Sequence, residues 1–171
     1  HHPAVPRTSL HAIHEAAGAT MDRLGGWWRP WIYSDVGAEY DAVRNAVSLG
    51  DVSTLGKFIV SGPDAEAALQ RLISTDVSTI RPGRSRYVLM LDERGYVLDD
   101  GMILREPEGD RFFVTVTSGG ASVAEMWFRD WTAHLDVRWM NVTMALGAIN
   151  VTGPRAAELL ARVGFDEPLP M

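Results

Sequence analysis

The chain has no cysteine. That single absence removes disulfide frameworks, thiol nucleophiles, iron–sulfur ligation and cysteine-based zinc sites. It has no run of eighteen apolar residues, so no membrane-spanning helix is expected. Positive charge is scarce: 16 Lys and Arg stand against 22 Asp and Glu, a formal net charge of -6, with no basic block. A nucleic-acid backbone would meet an unfavourable average field, so no nucleic-acid partner is expected. The sequence also lacks G-x-S-x-G, G-x-x-x-x-G-K-[ST] and a G-x-G-x-x-G after a strand, which excludes the common nucleophile elbow, P-loop and dinucleotide fingerprints. The start, His1-His2-Pro3-Ala4-Val5-Pro6, has no basic stretch leading into an apolar run, so no secretory leader is read there. Together with the missing cysteine, this makes a cytoplasmic location the expectation. The His1-His2 pair is tag-like and is left out of any metal argument.

What is present is ordinary globular composition. The chain has 171 residues, of which 46% are hydrophobic and 22% charged. That suits one domain, or a piece of a larger one, with a core that needs no covalent staple. Residues 1–35 differ from the rest and are expected to form an N-terminal arm. Thr8 can cap a helix over residues 9–21 with Leu10, Ile13 and Ala17 on one face. Gly25-Gly26-Trp27-Trp28-Arg29-Pro30-Trp31 then concentrates three of the six Trp around a proline, which no regular helix accommodates.

From Val36 the pattern is regular. Val36, Tyr40, Val43 and Val47 predict a helix over 37–48. Phe58, Ile59 and Val60 read as a strand that stops at Gly62-Pro63-Asp64, and Ala65, Ala68, Leu69 and Leu72 stripe the helix that follows. Runs over 86–91, 96–104 and 111–117 read as strands joined by tight turns at Asp92-Glu93-Arg94-Gly95 and Glu106-Pro107-Glu108-Gly109-Asp110. Ser118-Gly119-Gly120 opens a helix to about residue 134 with Val123, Met126, Trp127 and Trp131 inward. Residues 137–142 and 145–152 read as a hairpin, and Gly153-Pro154 opens a last helix over 155–163. The strand–Gly-Pro–x-Ala–helix layout therefore occurs twice, at Ile59–Ala65 and at Asn150–Ala156. These elements predict an α+β fold, a mixed or antiparallel sheet with flanking helices and internal pseudo-symmetry, rather than a doubly wound sheet. The close, Glu167-Pro168-Leu169-Pro170-Met171, carries no capping element.

Candidate chemistry is thin. Gly119-Gly120 at a helix start could hold an anion on backbone N–H groups, or simply make a turn that needs small residues. His11, His14 and Glu15 have helical spacing for a metal, but a solvated helix face is the reading preferred, and no metal site is expected. The two Asn-x-Thr sequons, at Asn141 and Asn150, carry no weight without a leader. The informative stretch is Val97-Leu98-Asp99-Asp100-Gly101-Met102, where two adjacent carboxylates interrupt an apolar strand. Adjacent strand residues face opposite ways, so at least one carboxylate should point to the packed side, where it needs partners. Local capping by Asp99, or a carboxylate placed to handle a proton or a forming cation, are both open on the residues alone.

Asp51-Val52-Ser53-Thr54-Leu55-Gly56-Lys57, Val60-x-Gly62-Pro63-Asp64-Ala65 and Tyr87-Val88-Leu89-Met90-Leu91-x-x-x-Gly95-x-Val97-x-Asp99-Asp100-Gly101 resemble the glycine cleavage T-protein (aminomethyltransferase) family. Thr54-Leu55-Gly56-Lys57, Trp28-Arg29-Pro30 and Arg7-Thr8-Ser9-Leu10-His11 are similar to the C-terminal folate-binding domain of heterotetrameric sarcosine oxidase α subunits. The resemblance runs along nearly the whole chain. It implies that residues 36–171 form the N-terminal part of a folate-binding aminomethyltransferase-like domain, truncated relative to the family. Tetrahydrofolate is the implied cofactor, with FAD, FMN and NAD only on other domains or subunits. The implied activity is one-carbon transfer: the imine carbon from sarcosine oxidation is trapped as 5,10-methylenetetrahydrofolate, with other sarcosine oxidase-type subunits as partners. By resemblance Asp100 is the catalytic carboxylate beside the folate, Leu55 and Tyr87 give apolar and aromatic contacts, and Leu104 and Thr117 stand where the family has Tyr and Asn. Two other readings remain: a non-catalytic folate-binding or subunit-assembly module, and a folate-dependent RNA-modification factor, against which the acidic charge argues.

The family continues beyond residue 171 to a glutamate that reads the pterin, and pterin orientation rests on a few placed polar groups. Calorimetric titration of residues 1–171 with a reduced folate is accordingly expected to show no micromolar binding; a micromolar isotherm would refute that expectation.

Overall fold

The computed structural model describes residues 4–165; the His1-His2 pair and the 167–171 close lie outside them. The chain forms two compact units, one holding residues up to Ser53 and from Gly147, the other holding Thr54–Leu146.

The Thr54–Leu146 unit is a five-stranded antiparallel sheet carrying helices. In chain order it has β4 (Gly56–Ser61), α3 (Ala65–Leu72), β5 (Ser85–Leu91), β6 (Val97–Arg105), β7 (Arg111–Val116), α4 (Ala121–Thr132) and β8 (Arg138–Asn141), with strand order β5-β6-β7-β4-β8. The predicted tight turns are both present. Asp92 accepts hydrogen bonds from the Arg94 and Tyr96 N–H groups while Gly95 takes φ 84°, and Gly109 takes φ 86° in the next turn. Strand alternation puts Phe58, Val60, Val88, Met90, Ile103, Phe112 and Val114 on one face, where Ala65, Leu69 and Leu72 of α3 and Ala124 and Phe128 of α4 close the core. The α3 stripe is the one the spacing predicts.

The α4 stripe is met only at Trp127, which packs half-buried against the core. Ala124, Phe128 and Thr132 are buried, whereas Val123, Met126 and Trp131 are 49%, 61% and 39% exposed. The helix is turned because its first residue lies against the sheet: a Cβ at Gly56 would come within 2.5 Å of Val116 and 2.7 Å of Ala121. That approach commits the side bearing Ala121, Ala124 and Phe128 to the interior. There the Phe128 ring stacks on Trp139 at 4.1 Å and meets the Phe58 edge at 5.1 Å.

The other unit contains α1 (His11–Ala16), the hairpin β1 (Thr20–Leu24) and β2 (Trp27–Ile32), α2 (Val36–Asn45), β3 (Ser48–Asp51), β9 (Ile149–Thr152) and α5 (Ala156–Arg162). The first helix is shorter than predicted because Gly18 at φ 83° ends it, and the chain enters β1. The tryptophan-rich segment is the strand β2, entered through Gly25 and Gly26 at φ 56° and 84°, the left-handed pair a two-residue hairpin needs. In α1 the buried residues are His11 and His14, and Ile13 is 62% exposed, which corrects both the predicted stripe and the solvated-histidine reading. Helix α2 is capped by Asp35, whose carboxylate accepts the Ala38 N–H at 2.9 Å.

The predicted hairpin over 137–142 and 145–152 does not form. β8 instead adds to the edge of β4, and β9 pairs antiparallel with β3, of which only Ser48 falls within the helix predicted over 37–48. Periodicity cannot choose a strand's partner; a longer, apolar edge at β4 outcompetes the local one for β8.

Replacing Phe58 by Ala is expected to cost about 3–5 kcal/mol in urea unfolding, while Val123→Ala stays within about 0.5 kcal/mol. Equal losses would contradict this orientation of α4.

Candidate functional site

Adjacent residues on β6 divide the two carboxylates. Asp99 lies opposite Met90 and faces the core, 6% exposed; Asp100 lies opposite Leu89 and faces the other, partly open side of the sheet. Asp99 takes the local role: its Oδ1 accepts the Asp100 N–H at 2.8 Å, tightening the strand at this point. Among the described residues its Oδ2 has no hydrogen-bond partner, and it packs where a Cβ of Gly120 would sit. Gly120 precedes α4, so the buried carboxylate borders the positive end of that helix.

Asp100 is left to face outward. The Tyr87 hydroxyl donates to its Oδ2 at 2.5 Å from the neighbouring strand β5. That hydrogen bond, then burial and the charges of Asp100 and Asp99, raise the Tyr87 pKa, so the phenol stays a donor. Asp100, Met102, Leu104, Phe113 and Thr115 share this face with Tyr87 by the pairing register. Tyr87 is 58% exposed and Met102 38%, so the face is an apolar and aromatic strip with one carboxylate on it.

The other expected residues, Leu104 apart, fall around the start of β6. Thr117 follows β7, and its hydroxyl accepts the Gly120 N–H at 3.1 Å, beside Asp99. Leu55 lies in the segment leading into β4, which is tied to the Ser118 turn through Thr54 Oγ1 to Ser118 Oγ at 2.7 Å. The Leu55 carbonyl accepts from the buried Lys57 ammonium at 3.0 Å. Leu104 is the outlier. It shares the Asp100 face but sits four residues along the strand, about 13 Å away at the usual strand rise. A separate cleft of about 700 Å³ in this unit is lined by Ser61, Gly62, Pro63, Glu106, Glu108, Asp110 and Arg111 and holds none of these residues.

A second polar cluster, in the other unit, escaped the sequence reading. Asp51, buried at the end of β3, accepts from Thr8 Oγ1 at 2.7 Å, His14 Nε2 at 2.9 Å and the Ser53 N–H at 2.9 Å. His14 Nδ1 lies 2.5 Å from the Tyr33 hydroxyl. One tautomer serves both neighbours: Nε2–H donates to Asp51, and Nδ1 accepts from Tyr33. Burial, followed by the charges of Asp51 and Glu39, raises the Tyr33 pKa and keeps that phenol a donor. Burial also pushes the Asp51 carboxyl up, but the hydrogen bonds from Ser53, Thr8 and His14 outweigh it and hold it at about 2 against the usual 3.8. Among the described residues no group of three or more His, Asp and Glu could hold a metal ion, and no helix is long and apolar enough to cross a membrane.

The whole arrangement is that of an aminomethyltransferase fold. The crystal structure of glycine cleavage system aminomethyltransferase T from Bartonella henselae matches with a TM-score of 0.88 at 28% identity, over 96% of this chain and 45% of that one. Residues 10–169 match the GCVT N-terminal domain, and the chain belongs to that family. A probable aminomethyltransferase of Halobacterium salinarum is 40% identical over 165 residues, covering 94% of this chain and 46% of the relative. A sarcosine oxidase subunit alpha of Corynebacterium sp. strain U-96 is 36% identical over 168 residues, covering 91% of this chain and 17% of that subunit. The chain therefore spans less than half the length of the curated relatives it matches.

The depressed Asp51 pKa has a fixed sign for stability. Its contribution is full above the unfolded value of 3.8 and is lost as pH falls through about 2. Asp51→Asn is expected to lower the neutral-pH urea midpoint and to flatten the acid limb between these two values. A variant that keeps the full acid limb would contradict the assignment.

Proposed function

We propose that this chain is the Asp100-bearing part of a tetrahydrofolate-dependent one-carbon transfer domain, of the kind found in aminomethyltransferases and sarcosine oxidase α subunits. The observation that carries the reading is Asp100 itself: a carboxylate on the open face of the sheet, oriented by Tyr87 and flanked by an apolar strip.

These residues fit a reduced pterin. A flat ring system needs an apolar wall and few, well-placed polar groups, and Tyr87 and Met102 supply such a wall beside Asp100. Tetrahydrofolate, when bound, supplies the two nitrogens that take up a one-carbon unit. Asp100 holds negative charge at that edge and is placed to accept or return a proton there. Tyr87 keeps the carboxylate in one rotamer by donating to Oδ2. Asp99 fixes the strand from beneath by holding the Asp100 N–H.

Within this reading the donor is the imine carbon formed from sarcosine by a flavin site elsewhere in the assembly, captured as 5,10-methylenetetrahydrofolate. Sarcosine oxidase subunits among the relatives, and Thr54-Leu55-Gly56-Lys57 in this chain, support that branch.

In the full-length protein, Asp100→Asn is expected to lower methylenetetrahydrofolate formation by about 100-fold or more with an unchanged melting temperature. Tyr87→Phe should cost roughly 3- to 10-fold, the worth of one positioning hydrogen bond. Unchanged product formation in Asp100→Asn would overturn the proposal.

A further inference from the structure

The apolar stripe of α2 stays outside the core of its unit. Val36, Tyr40 and Val43 lie on one side of the helix at i, i+4 and i+7, yet α2 buries none of its residues. Val36 is 73% exposed and Tyr40 66%, and Trp31 at the end of β2 is 61% exposed. These side chains, with Ile32 and Val43, line one groove of about 430 Å³ that belongs wholly to this unit.

One residue of the stripe does not match the others. Glu39, three positions after Val36, falls on the same side of the helix and lines the groove with the apolar residues. Its carboxylate is held in place: Oε1 accepts the Tyr33 N–H at 2.7 Å and the Ser34 N–H at 3.1 Å, in the turn between β2 and α2. Those amides orient the charge without cancelling it. Among the described residues no Lys, Arg or His lines the groove, and none forms an ion pair with Glu39. The negative field extends to the neighbouring phenol, where burial, then the charges of Asp51 and Glu39, raise the Tyr33 pKa.

The fixed carboxylate decides what can occupy the groove. An apolar strand or helix laid over it would bury a charge with no counter-charge, at a desolvation cost the apolar contact does not offset. An anion is repelled. A bare metal ion or ammonium gains nothing from the methyl groups of Val36 and Val43. A cation that carries its own apolar surface satisfies both halves of the groove, because its charge meets the carboxylate while its N-alkyl groups meet the rings. Trp and Tyr are the side chains whose faces attract such cations best, and the groove has one of each. Its volume is that of a small-molecule site.

We propose that this groove binds a small free alkylammonium ion, with Glu39 as the contact for the charge and the Trp31 and Tyr40 rings as its walls. This inference is independent of folate binding at Asp100.

The test follows the NMR signals of the Trp31 indole and the Tyr40 ring in the 171-residue chain. One titration uses trimethylammonium chloride, the other tert-butanol, an uncharged molecule of similar size and shape. Trimethylammonium is expected to shift both sets of signals to saturation in the millimolar range, and tert-butanol to bind at least ~10-fold more weakly. Glu39→Gln keeps a carbonyl for the Tyr33 and Ser34 amides and removes the charge. It should weaken trimethylammonium binding by ~10-fold or more with an unchanged melting temperature. Trp31→Ala should abolish the shift of the Tyr40 signals. Shifts that never saturate, equal affinity for tert-butanol, or a Glu39→Gln protein that binds as tightly as the parent each overturn the proposal. Groove signals that move with protein concentration alone also overturn it, since the occupant would then be a second copy.

Discussion

A strand that ends on a glycine with a carbonyl where a Cβ would be is the constraint on which both units rest. Gly62 and Gly153 hold φ values that L side chains rarely adopt, and each lets the chain turn from strand to helix within van der Waals reach of another backbone segment. Because the approached carbonyl belongs to the residues just before β8 or β3, the same turn also fixes which strand lies next to β4 or β9. Any side chain at either position would push helix and neighbouring strand apart together.

Built on that frame, the Asp99-Asp100 pair shows how a sheet can use alternation to divide labour. The inner carboxylate is costly to bury and has one oxygen without a hydrogen-bond partner among the described residues, yet it borders the start of α4 and holds its neighbour's N–H. The outer one accepts from the Tyr87 hydroxyl on a largely apolar face. Gly101 completes the arrangement, since a Cβ there would collide with the Thr115 carbonyl. The sequence Asp-Asp-Gly is thus three separate requirements of one strand: an inward anchor, an outward carboxylate and a close backbone approach.

Much of this was legible residue by residue. The hairpin turns at Asp92–Gly95 and Glu106–Asp110 announce themselves through glycine and Asx chemistry, and the α3 stripe through its spacing. The α4 stripe did not, because Val123, Met126 and Trp131 look more apolar than Ala124 and Thr132; shape complementarity with Gly56 and Phe58, rather than hydrophobicity, selected the buried side. His14 and Asp51 were invisible as a pair because 37 residues separate them, and a histidine on a short helix looks solvated until its partner is placed. Tyr87 and Asp100, assigned to one site by family resemblance, are joined by a hydrogen bond that only the β5–β6 register creates.

The amino-acid order alone determined the class of fold, the places where strands give way to helices, the doubled Gly-Pro junction and the stretch in which a carboxylate interrupts an apolar strand. These are local properties, set by φ preferences, side-chain periodicity and turn chemistry within a few residues. Tertiary structure decided which strand accepts β8, which side of α4 is inside and which aspartate faces out. Those outcomes depend on competition among distant surfaces for the same edge or face, and no window of neighbouring residues contains the competitors.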